Sequence, residues 1–370
     1  MDANFPRWQH HGGNPYRAAR ELGGRPDEYL DFSCNINPLG PSRRVLACLH
    51  AAAGEIWRYP DPECAALKEA LGAYLKVPAA WLLPGNGTAE LINLLVPALG
   101  IRRAVVPAPT FAEYALSVTA WDGEVRYVYL RGEDFAFAWE ELSAALAGAD
   151  ALFLCQPNNP TGRLLAPDEL ERLAAATARA GAYLVVDEAF LDFLSDATAL
   201  TALNLLSRFE HLIVLRSLTK FFALAGLRLG VLVAHPSVQR KISPLLPPWN
   251  VNLLAQMAGV AAVGDEEYIK KSRQIVATER AFLTNALASL SGVRVVPGAA
   301  NFLLLDIRGT GFSSTALAAR LARERILVRD ASNFLGLDSG FIRVAVRLRQ
   351  ENEQLVAALY TVLRAVPEQG

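Results

Sequence analysis

The sequence has few of the features that would indicate a metal centre, a nucleic-acid surface or a membrane span. Its 370 residues include only four cysteines, none at metal-ligand or Cys-x-x-Cys spacing, which favours buried thiols in a reducing compartment. The formal net charge is −1 and no long basic run occurs, which argues against a nucleic-acid partner. No charged-then-apolar leader and no apolar stretch of transmembrane length is present. We therefore expect a cytoplasmic protein without a metal or a membrane anchor.

The sequence does have ample apolar residues (52%) and a length that predicts two domains. Strand-like and helix-like segments alternate from about residue 66 to 235, which predicts a mostly parallel sheet with helices on both faces. Prolines between residues 244 and 248 indicate a boundary. Beyond it, a small α+β domain is predicted from a long helical stretch, broken near Gly264, and from three strand-like runs: 293–296 with 302–306, 326–329 and 341–346.

One lysine, Lys220, follows the apolar run 212–215, which is typical of a buried strand. Ser217 and Thr219 precede it, and Arg228 follows in the sequence Gly-Leu-Arg-Leu-Gly. A lysine amine can form a Schiff base with a carbonyl cofactor if its surroundings lower its pKa, and hydroxyls with an arginine suit a phosphate dianion. The pattern predicts a site for pyridoxal 5′-phosphate (PLP), with the aldehyde on Lys220 and the phosphate on the other three residues. The alternative is a strand end with a solvated lysine.

Two further strand ends carry groups that PLP chemistry needs. Asp187 ends the apolar run 182–186 and is a candidate partner for the pyridine nitrogen, because a protonated ring is the better electron sink. Asn159, after the run 151–154, could donate to the phenolic oxygen of the cofactor. Taken singly, the first could be a helix cap and the second a turn residue. Together they fit the rule that open α/β sheets bind ligands at the carboxyl ends of their strands.

Two segments upstream add weaker candidates. Gly87 and Thr88 open a helical apolar pattern, so backbone N–H groups there could hold a phosphate, although a plain capped helix is the default. Phe111 follows the strand-like run 104–106. Its ring could stack on the pyridine, although core packing is the default for a buried phenylalanine.

These motifs together resemble those of the fold-type I PLP enzymes, the aminotransferase class I/II superfamily, over about residues 10–365. Within it, the chain resembles the histidinol-phosphate aminotransferase branch and, more closely, the threonine-phosphate decarboxylases of cobalamin biosynthesis. The closer resemblance is carried by residues 11–14, 31–40, 187–190 and 216–221. Many aminotransferases have tyrosine where this chain has Phe190, whereas those decarboxylases have phenylalanine.

The resemblance implies an α/β fold with a large PLP-binding domain at 46–248 and a small domain formed by 1–45 and 249–370. It implies a cofactor between the two domains. It also implies a homodimer, in which Tyr59 reaches the cofactor phosphate of the partner subunit. Without the resemblance, Tyr59 would simply enter a turn.

An amino-acid substrate has a carboxylate, and arginine binds carboxylates through a two-pronged contact. Arg343 and Arg347 lie on the alternating run 341–347, and the resemblance makes Arg343 the carboxylate ligand, whereas we expect Arg347 and Arg349 to be solvated. The alternative for each arginine is a surface charge. The resemblance assigns substrate contacts to His11, Gly12, Asn35, Asn159, Arg329 and Arg343.

The resemblance implies decarboxylation of L-threonine O-3-phosphate to (R)-1-amino-2-propanol O-2-phosphate. The residues alone do not choose between decarboxylation and transamination, because Lys220 and Asp187 serve both. A histidinol-phosphate or aromatic amino-acid aminotransferase is therefore the alternative. A PLP-binding sensor domain of a transcription regulator is a third, although residues 31–40 match too early to leave room for a DNA-binding domain.

Overall fold

The computed structural model describes residues 11 to 364, and its centre is a seven-stranded sheet. The strand order is β2-β8-β7-β6-β5-β3-β4, and every neighbouring pair is parallel except the two that β8 makes with β2 and β7. The predicted mostly parallel sheet is therefore confirmed. The strands are β2 (Leu82–Gly85), β3 (Arg103–Ala108), β4 (Glu124–Tyr129), β5 (Ala151–Cys155), β6 (Tyr183–Asp187), β7 (Leu212–Ser217) and β8 (Gly230–Ala234).

The inner strands are buried on both faces, which explains their continuous apolar runs. In β5, Leu152 and Leu154 pack into one hydrophobic cluster, whereas Phe153 and Cys155 pack into the cluster on the opposite face. Successive side chains of a strand point to opposite faces, so one apolar run supplies both clusters. The sheet thus forms a rigid layer whose strand ends are fixed by packing on both sides.

Helices form most of the remaining structure. Their bounds are α1 (Pro15–Leu22), α2 (Arg43–Ala52), α3 (Ala65–Leu75), α4 (Thr88–Leu99), α5 (Glu113–Thr119), α6 (Trp139–Leu146), α7 (Pro167–Arg179), α8 (Ala197–Leu200), α9 (Pro236–Ile242), α10 (Leu253–Val263), α11 (Glu266–Ala288), α12 (Ser314–Arg323) and α13 (Arg349–Arg364). The predicted break near Gly264 separates α10 from α11, where the Asp265 side chain caps α11 by accepting from the Tyr268 N–H. No helix among residues 11–364 is both long and apolar enough to cross a membrane.

A second, antiparallel sheet lies in the C-terminal part of the chain. Its order is β12-β13-β10-β9, with β9 (Arg294–Val295), β10 (Phe302–Asp306), β12 (Arg329–Asp330) and β13 (Phe341–Ala345). The predicted single strand at 326–329 is wrong in detail. Residues Ile326–Leu327 form β11, which pairs in parallel with β1 (Leu30–Asp31), and only Arg329 continues into the four-stranded sheet. This pairing joins the N-terminal part of the chain to the C-terminal part.

Candidate active site

The carboxyl ends of β5, β6 and β7 meet at one edge of the large sheet and line a cavity of about 420 Å³. The second sheet contributes Arg329 and Arg343 to the same cavity, and the N-terminal segment contributes His11 and Asn35. A groove of about 1370 Å³ runs along α11, but none of the predicted site residues lines it. Of the predicted residues, those that line the smaller cavity are His11, Gly12, Asn35, Thr88, Phe111, Asn159, Asp187, Ser217, Thr219, Lys220, Arg228, Arg329 and Arg343.

Lys220 lies in the turn that follows β7. Burial lowers the pKa of its amine, as a lysine that reacts as a free base requires. Its backbone is fixed because its carbonyl accepts a hydrogen bond from the Asn37 N–H at 3.0 Å. The turn is tightened by a 3.3 Å hydrogen bond from the Thr219 N–H to the Ser217 hydroxyl. The amine therefore lies in a low-dielectric cavity, and hydrogen bonds from Asn37 and within the preceding turn fix the backbone that carries it.

Asp187 ends β6 and is almost completely buried. Its carboxylate accepts from the Tyr114 hydroxyl at 2.8 Å and from the Ala189 N–H at 3.0 Å. Burial raises the pKa of Asp187 to about 6, and these hydrogen bonds act against that rise. A cationic group beside the carboxylate would stabilise its charged form. Tyr114 follows Phe111 and Glu113 in the chain. The sequence did not identify it as the residue that orients Asp187.

Gly87, Thr88 and Arg228 meet at the start of α4. Gly87 has a φ of +82°, and a Cβ there would lie 2.8 Å from a terminal nitrogen of Arg228. Gly230 has similar contacts, since a Cβ there would lie 2.7 Å from the Thr88 nitrogen. The positive φ favours glycine at position 87, and the close approach of β8 to the backbone of Thr88 requires glycine at position 230. The result is a concentration of donors and positive charge that suits a phosphate.

Arg343 and Asn159 form one unit across the cavity. One terminal nitrogen of Arg343 donates to the Asn159 side-chain oxygen, and the other donates to the Ser33 carbonyl at 2.8 Å. The Arg343 Nε is buried and has no hydrogen-bond partner among the described residues. Burial lowers the pKa of Arg343 to about 9. A buried guanidinium without a carboxylate partner among residues 11–364 is suited to bind an anion. The neighbouring Asn158 instead holds the loop, through Thr110 and the Pro109 carbonyl.

Arg329 approaches the cavity from β12. It donates to the Asp330 carbonyl and, at 2.7 Å, to the Asn333 side-chain oxygen, and its guanidinium lies 5.0 Å from the Phe334 ring centre. Burial lowers the pKa of Arg329 to about 10. Asn333 and Phe334 also line the cavity, and no sequence motif indicated them. The loop after β12 thus orients Arg329 through Asn333 and Phe334, which belong to no sequence motif.

The N-terminal segment closes another side of the cavity. The Gly13 N–H donates to the Ser33 hydroxyl at 2.8 Å, and a Cβ on Gly12 would lie 2.4 Å from the Ser33 carbonyl oxygen. The His11 Nε2 lies 2.9 Å from the Glu113 carboxylate. Glu113 was not predicted to be a site residue. Asn35 is buried, and its side-chain oxygen has no hydrogen-bond partner among the described residues.

Two side chains considered in the sequence analysis, Tyr59 and Arg347, do not line the cavity of their own chain. Tyr59 is 77% exposed and stacks on Trp249, with 4.4 Å between ring centres. Arg347 does not share a strand with Arg343, since β13 ends at Ala345. The prediction that Arg347 is solvated is wrong, because it is half-buried, pairs with Glu351 at 2.6 Å and donates to the Asp31 carbonyl.

The residues present fit PLP. Lys220 supplies an amine whose pKa is lowered by burial, Asp187 supplies a buried carboxylate, and the start of α4 with Arg228 supplies a phosphate cradle in which a Cβ on Gly87 would collide. Phe111 adds an aromatic wall to the cavity. The Arg343 and Asn35 atoms without partners remain for a second ligand.

Comparison with known proteins gives the same assignment over nearly the whole chain. The family model for aminotransferase class I and II matches residues 27–359. A threonine-phosphate decarboxylase of Salmonella typhimurium is 40% identical over 361 residues, which cover 96% of this chain and 97% of the relative.

Two solved structures add the fold. L-threonine-O-3-phosphate decarboxylase from Porphyromonas gingivalis matches with a TM-score of 0.80 at 25% identity, covering 90% of this chain and 99% of that chain. Histidinol-phosphate aminotransferase from Sinorhizobium meliloti, solved in complex with pyridoxal-5′-phosphate, matches with a TM-score of 0.85 at 25% identity and covers 98% of both chains. With the motifs of the cavity, these matches establish that the chain belongs to the aminotransferase class I and II family.

Proposed function

We propose that this chain is a PLP-dependent enzyme that decarboxylates L-threonine O-3-phosphate to (R)-1-amino-2-propanol O-2-phosphate in cobalamin biosynthesis. The observation that carries the proposal is the end-to-end identity of 40% to the Salmonella decarboxylase. A cavity with PLP-binding groups on one wall and two buried arginines on the other supports it.

The cofactor is assigned to the wall formed by the large sheet. Lys220 binds the aldehyde carbon, and Asp187 pairs with the ring nitrogen. Phe111 covers a face of the ring, and Asn159 contacts the phenolic oxygen. The phosphate is bound by residues at the start of α4 and after β7: Gly87, Thr88, Ser217, Thr219 and Arg228. When bound there, PLP supplies the electron sink for the reaction.

The substrate is assigned to the opposite wall. A phosphorylated amino acid carries two anions, and each needs desolvated donors if it is to bind in a buried cavity. Arg343, held by Asn159 and Ser33, is placed to take the carboxylate. His11, Gly12 and Asn35 supply donors for the phosphate, and Arg329 adds a second positive charge between the two groups.

In this proposal, Lys220 and the two buried arginines, Arg329 and Arg343, determine which bond to the substrate Cα breaks. In the proposed reaction the bond from Cα to the carboxylate breaks, its electron pair stays on the Cα side, and carbon dioxide leaves. Lys220 returns a proton to Cα as the general acid, for which its lowered pKa suits it. The Cα–H bond stays intact, and this separates the reaction from transamination.

Release of carbon dioxide from threonine phosphate by the purified, PLP-loaded protein tests the proposal. We expect one carbon dioxide and one amino-propanol phosphate per substrate consumed, with no requirement for 2-oxoglutarate. No release, together with turnover of histidinol phosphate plus 2-oxoglutarate, would contradict it.

The second candidate is a histidinol-phosphate or aromatic amino-acid aminotransferase. It is favoured by the structural match to the Sinorhizobium aminotransferase, whose TM-score of 0.85 exceeds the 0.80 of the decarboxylase structure. Against it stands Phe190, which lines the cavity and packs edge-to-face on Phe302 at 5.1 Å, where many aminotransferases have tyrosine. Accumulation of a keto product would identify this reaction.

The proposal also covers the domain boundaries, the oligomeric state and the cellular location of the enzyme. We place the large domain at 46–248 and the small domain at 1–45 with 249–370, in a cytoplasmic homodimer. The exposed aromatic surface of Trp57, Tyr59 and Trp249 supports an interface with a second copy. In that dimer Tyr59 would bind the cofactor phosphate of the partner subunit.

A further inference from the structure

Asp187, the proposed partner of the ring nitrogen, depends on the turn that follows β6. One of its carboxylate oxygens accepts from the Ala189 N–H at 3.0 Å. That N–H belongs to residues 188–192 (the β6 turn), whose first residue is bound to β7 by a hydrogen bond from the Glu188 N–H to the Leu215 carbonyl at 2.9 Å. If the β6 turn shifted, the Asp187 carboxylate would lose one of the two hydrogen bonds that orient it.

Arg216, on β7, binds the β6 turn at both of its ends. One terminal nitrogen of the guanidinium donates to the Glu188 carboxylate at 2.8 Å, and the other donates to the Asp192 carboxylate. The three side chains are at most 6% exposed. Burial opposes the charge of Arg216, but the two carboxylates raise its pKa, so the guanidinium stays charged. Its donors lie in a rigid plane and can reach two carboxylates at once, which the single ammonium of a lysine matches poorly.

The two carboxylates are also held by other parts of the chain. Glu188 accepts from the Thr201 hydroxyl at 2.7 Å and from the Ala202 N–H at 2.6 Å. Asp192 accepts from the Tyr74 hydroxyl at 2.7 Å. The β6 turn is therefore tied to α3, to β7 and to the segment after α8, which leaves it little room to move.

Arg216 acts from outside the cavity. Its neighbour Ser217 lines the cavity, whereas Arg216 points to the opposite face of the sheet, because successive side chains of a strand alternate. An effect of Arg216 on the reaction must therefore pass through the backbone at the ends of β6 and β7. The β6 turn is the direct route to Asp187, since Glu188 and Ala189 follow it in the chain.

We propose that Arg216 is a positioning residue that keeps the Asp187 carboxylate against the ring nitrogen of PLP, by fixing the β6 turn through Glu188 and Asp192. This role rests on the cofactor assignment of the proposed function and extends it to a residue outside the cavity. An anionic partner favours the protonated ring, which is the better electron sink. A displaced turn would therefore slow the reaction without changing the residues that bind the substrate.

Arg216→Lys tests the proposal in the PLP-loaded protein, because it keeps the charge but cannot bridge both carboxylates. Arg349→Lys is the matched control, since that guanidinium also binds a buried carboxylate, Glu279, through two nitrogens at 3.1 Å each and lies outside the cavity. The readouts are kcat and KM for threonine phosphate and the NMR signal of PLP labelled with nitrogen-15 in its ring. The ring signal reports protonation of the nitrogen whatever the substrate is.

In Arg216→Lys we expect the ring signal to move toward that of an unprotonated pyridine. The value of kcat should fall about tenfold or more, as for loss of a charge-assisted contact, whereas KM should change less than about twofold. The control should leave all three quantities unchanged. An unchanged ring signal, or a loss of activity carried by KM, would overturn the proposal.

A double-mutant cycle with Asp187→Asn shows whether Arg216 acts through Asp187. In the Asp187→Asn background, Arg216→Lys should lower kcat by less than about a further twofold. Losses that multiply in the double variant would mean that Arg216 acts elsewhere, and the proposal would be wrong.

Asp192→Asn gives the same test if Arg216→Lys does not fold. It removes one of the two charges that hold the guanidinium, so the ring signal should move in the same direction. A parent protein that releases no carbon dioxide from threonine phosphate, but whose ring signal responds to these variants as expected, would contradict the proposed reaction and still support the role of Arg216.

Discussion

The two walls of the cavity are built in different ways. On the wall from the large sheet, Asp187 ends β6 and Lys220 follows the neighbouring parallel strand β7, and both depend on a layer that is packed on its two faces. On the opposite wall, Arg343 is held by Asn159 and Ser33, which are 184 and 310 residues away in the chain. The first wall is fixed by strand geometry, whereas the second exists only when distant segments have come together.

In the proposed function, this difference in construction matches a difference in role: one wall serves the reaction and the other selects the substrate. The sheet wall carries the amine and carboxylate that any reaction of this cofactor needs, and the same groups serve decarboxylation and transamination. In the proposed function, the opposite wall carries the donors that select the substrate. Changes on the sheet wall should therefore abolish the reaction, and changes on the other wall should alter which substrate is used.

Lys220→Ala should have the largest effect. Loss of the amine removes both the covalent attachment of PLP and the proton donor, so activity should fall by roughly a thousandfold or more. The visible absorption of the bound cofactor should disappear, and borohydride should no longer fix PLP to the protein. The exposed Lys271→Ala is the control. A borohydride-stable adduct in Lys220→Ala would show that another lysine binds the cofactor.

Asp187→Asn should change the pH dependence of stability in the PLP-free protein. Asp187 has a pKa of about 6 in the folded state, so its folded form holds a proton that the unfolded chain releases near pH 4. The parent therefore loses stability as pH rises from 4 through 6, by roughly 3 kcal/mol. The asparagine side chain does not titrate, so the variant should lack this loss.

Urea unfolding of both PLP-free proteins between pH 4 and 8 measures that difference. The gain of the variant over the parent should grow with pH. A cationic ring nitrogen should remove the cost of ionising Asp187, so PLP should flatten the curve of the parent. A gain independent of pH would contradict burial as the cause of the raised pKa. The variant should also retain some PLP but lose most activity.

Arg343→Lys should separate the charge from its geometry on the opposite wall. Lysine keeps the positive charge but cannot make the two-pronged contact or donate at once to Asn159 and Ser33. We expect kcat/KM to fall about 10- to 150-fold, corresponding to about 1.5–3 kcal/mol for a charge-assisted contact, with PLP still bound. Arg349→Gln, outside the cavity, is the control. Loss of PLP from Arg343→Lys would mean that the two walls are not separable.

Tyr59→Ser should have the smallest effect. Because Tyr59 is 77% exposed, its loss should leave the unfolding of a single chain nearly unchanged. In the proposed homodimer it should lower PLP affinity by a few-fold, as loss of one hydrogen bond does. Equilibrium dialysis of PLP, with sedimentation to follow the dimer, measures this effect. Unchanged PLP affinity in an intact dimer would remove Tyr59 from the cofactor site.

The sequence predicted the sheet wall more completely than the opposite wall, for physical reasons. The apolar runs that precede Asp187 and Lys220 predict buried strands, and the ends of parallel strands meet at one edge. Tyr114 was missed because an aromatic after a strand is typical of any core. The split of 326–329 between two sheets was missed because its partner, β1, is only two residues long.

For the opposite wall, the sequence identified individual residues but not the contacts between them. Arg343 was identified through the resemblance, but its contacts with Asn159 and Ser33 depend on the tertiary fold. Glu113 carries no motif, and its contact with His11 joins segments 102 residues apart. The half-buried position of Arg347 also follows from packing, since β13 ends before it.

The most direct test of the central claim uses L-threonine O-3-phosphate that carries deuterium at Cα. Decarboxylation breaks the bond from Cα to the carboxylate and leaves the Cα–deuterium bond intact, whereas transamination removes the deuterium. Mass spectrometry of the products should show amino-propanol phosphate with one deuterium, formed in equal amount to carbon dioxide. A deuterium-free product that retains the carboxylate and has lost its amine would contradict the account.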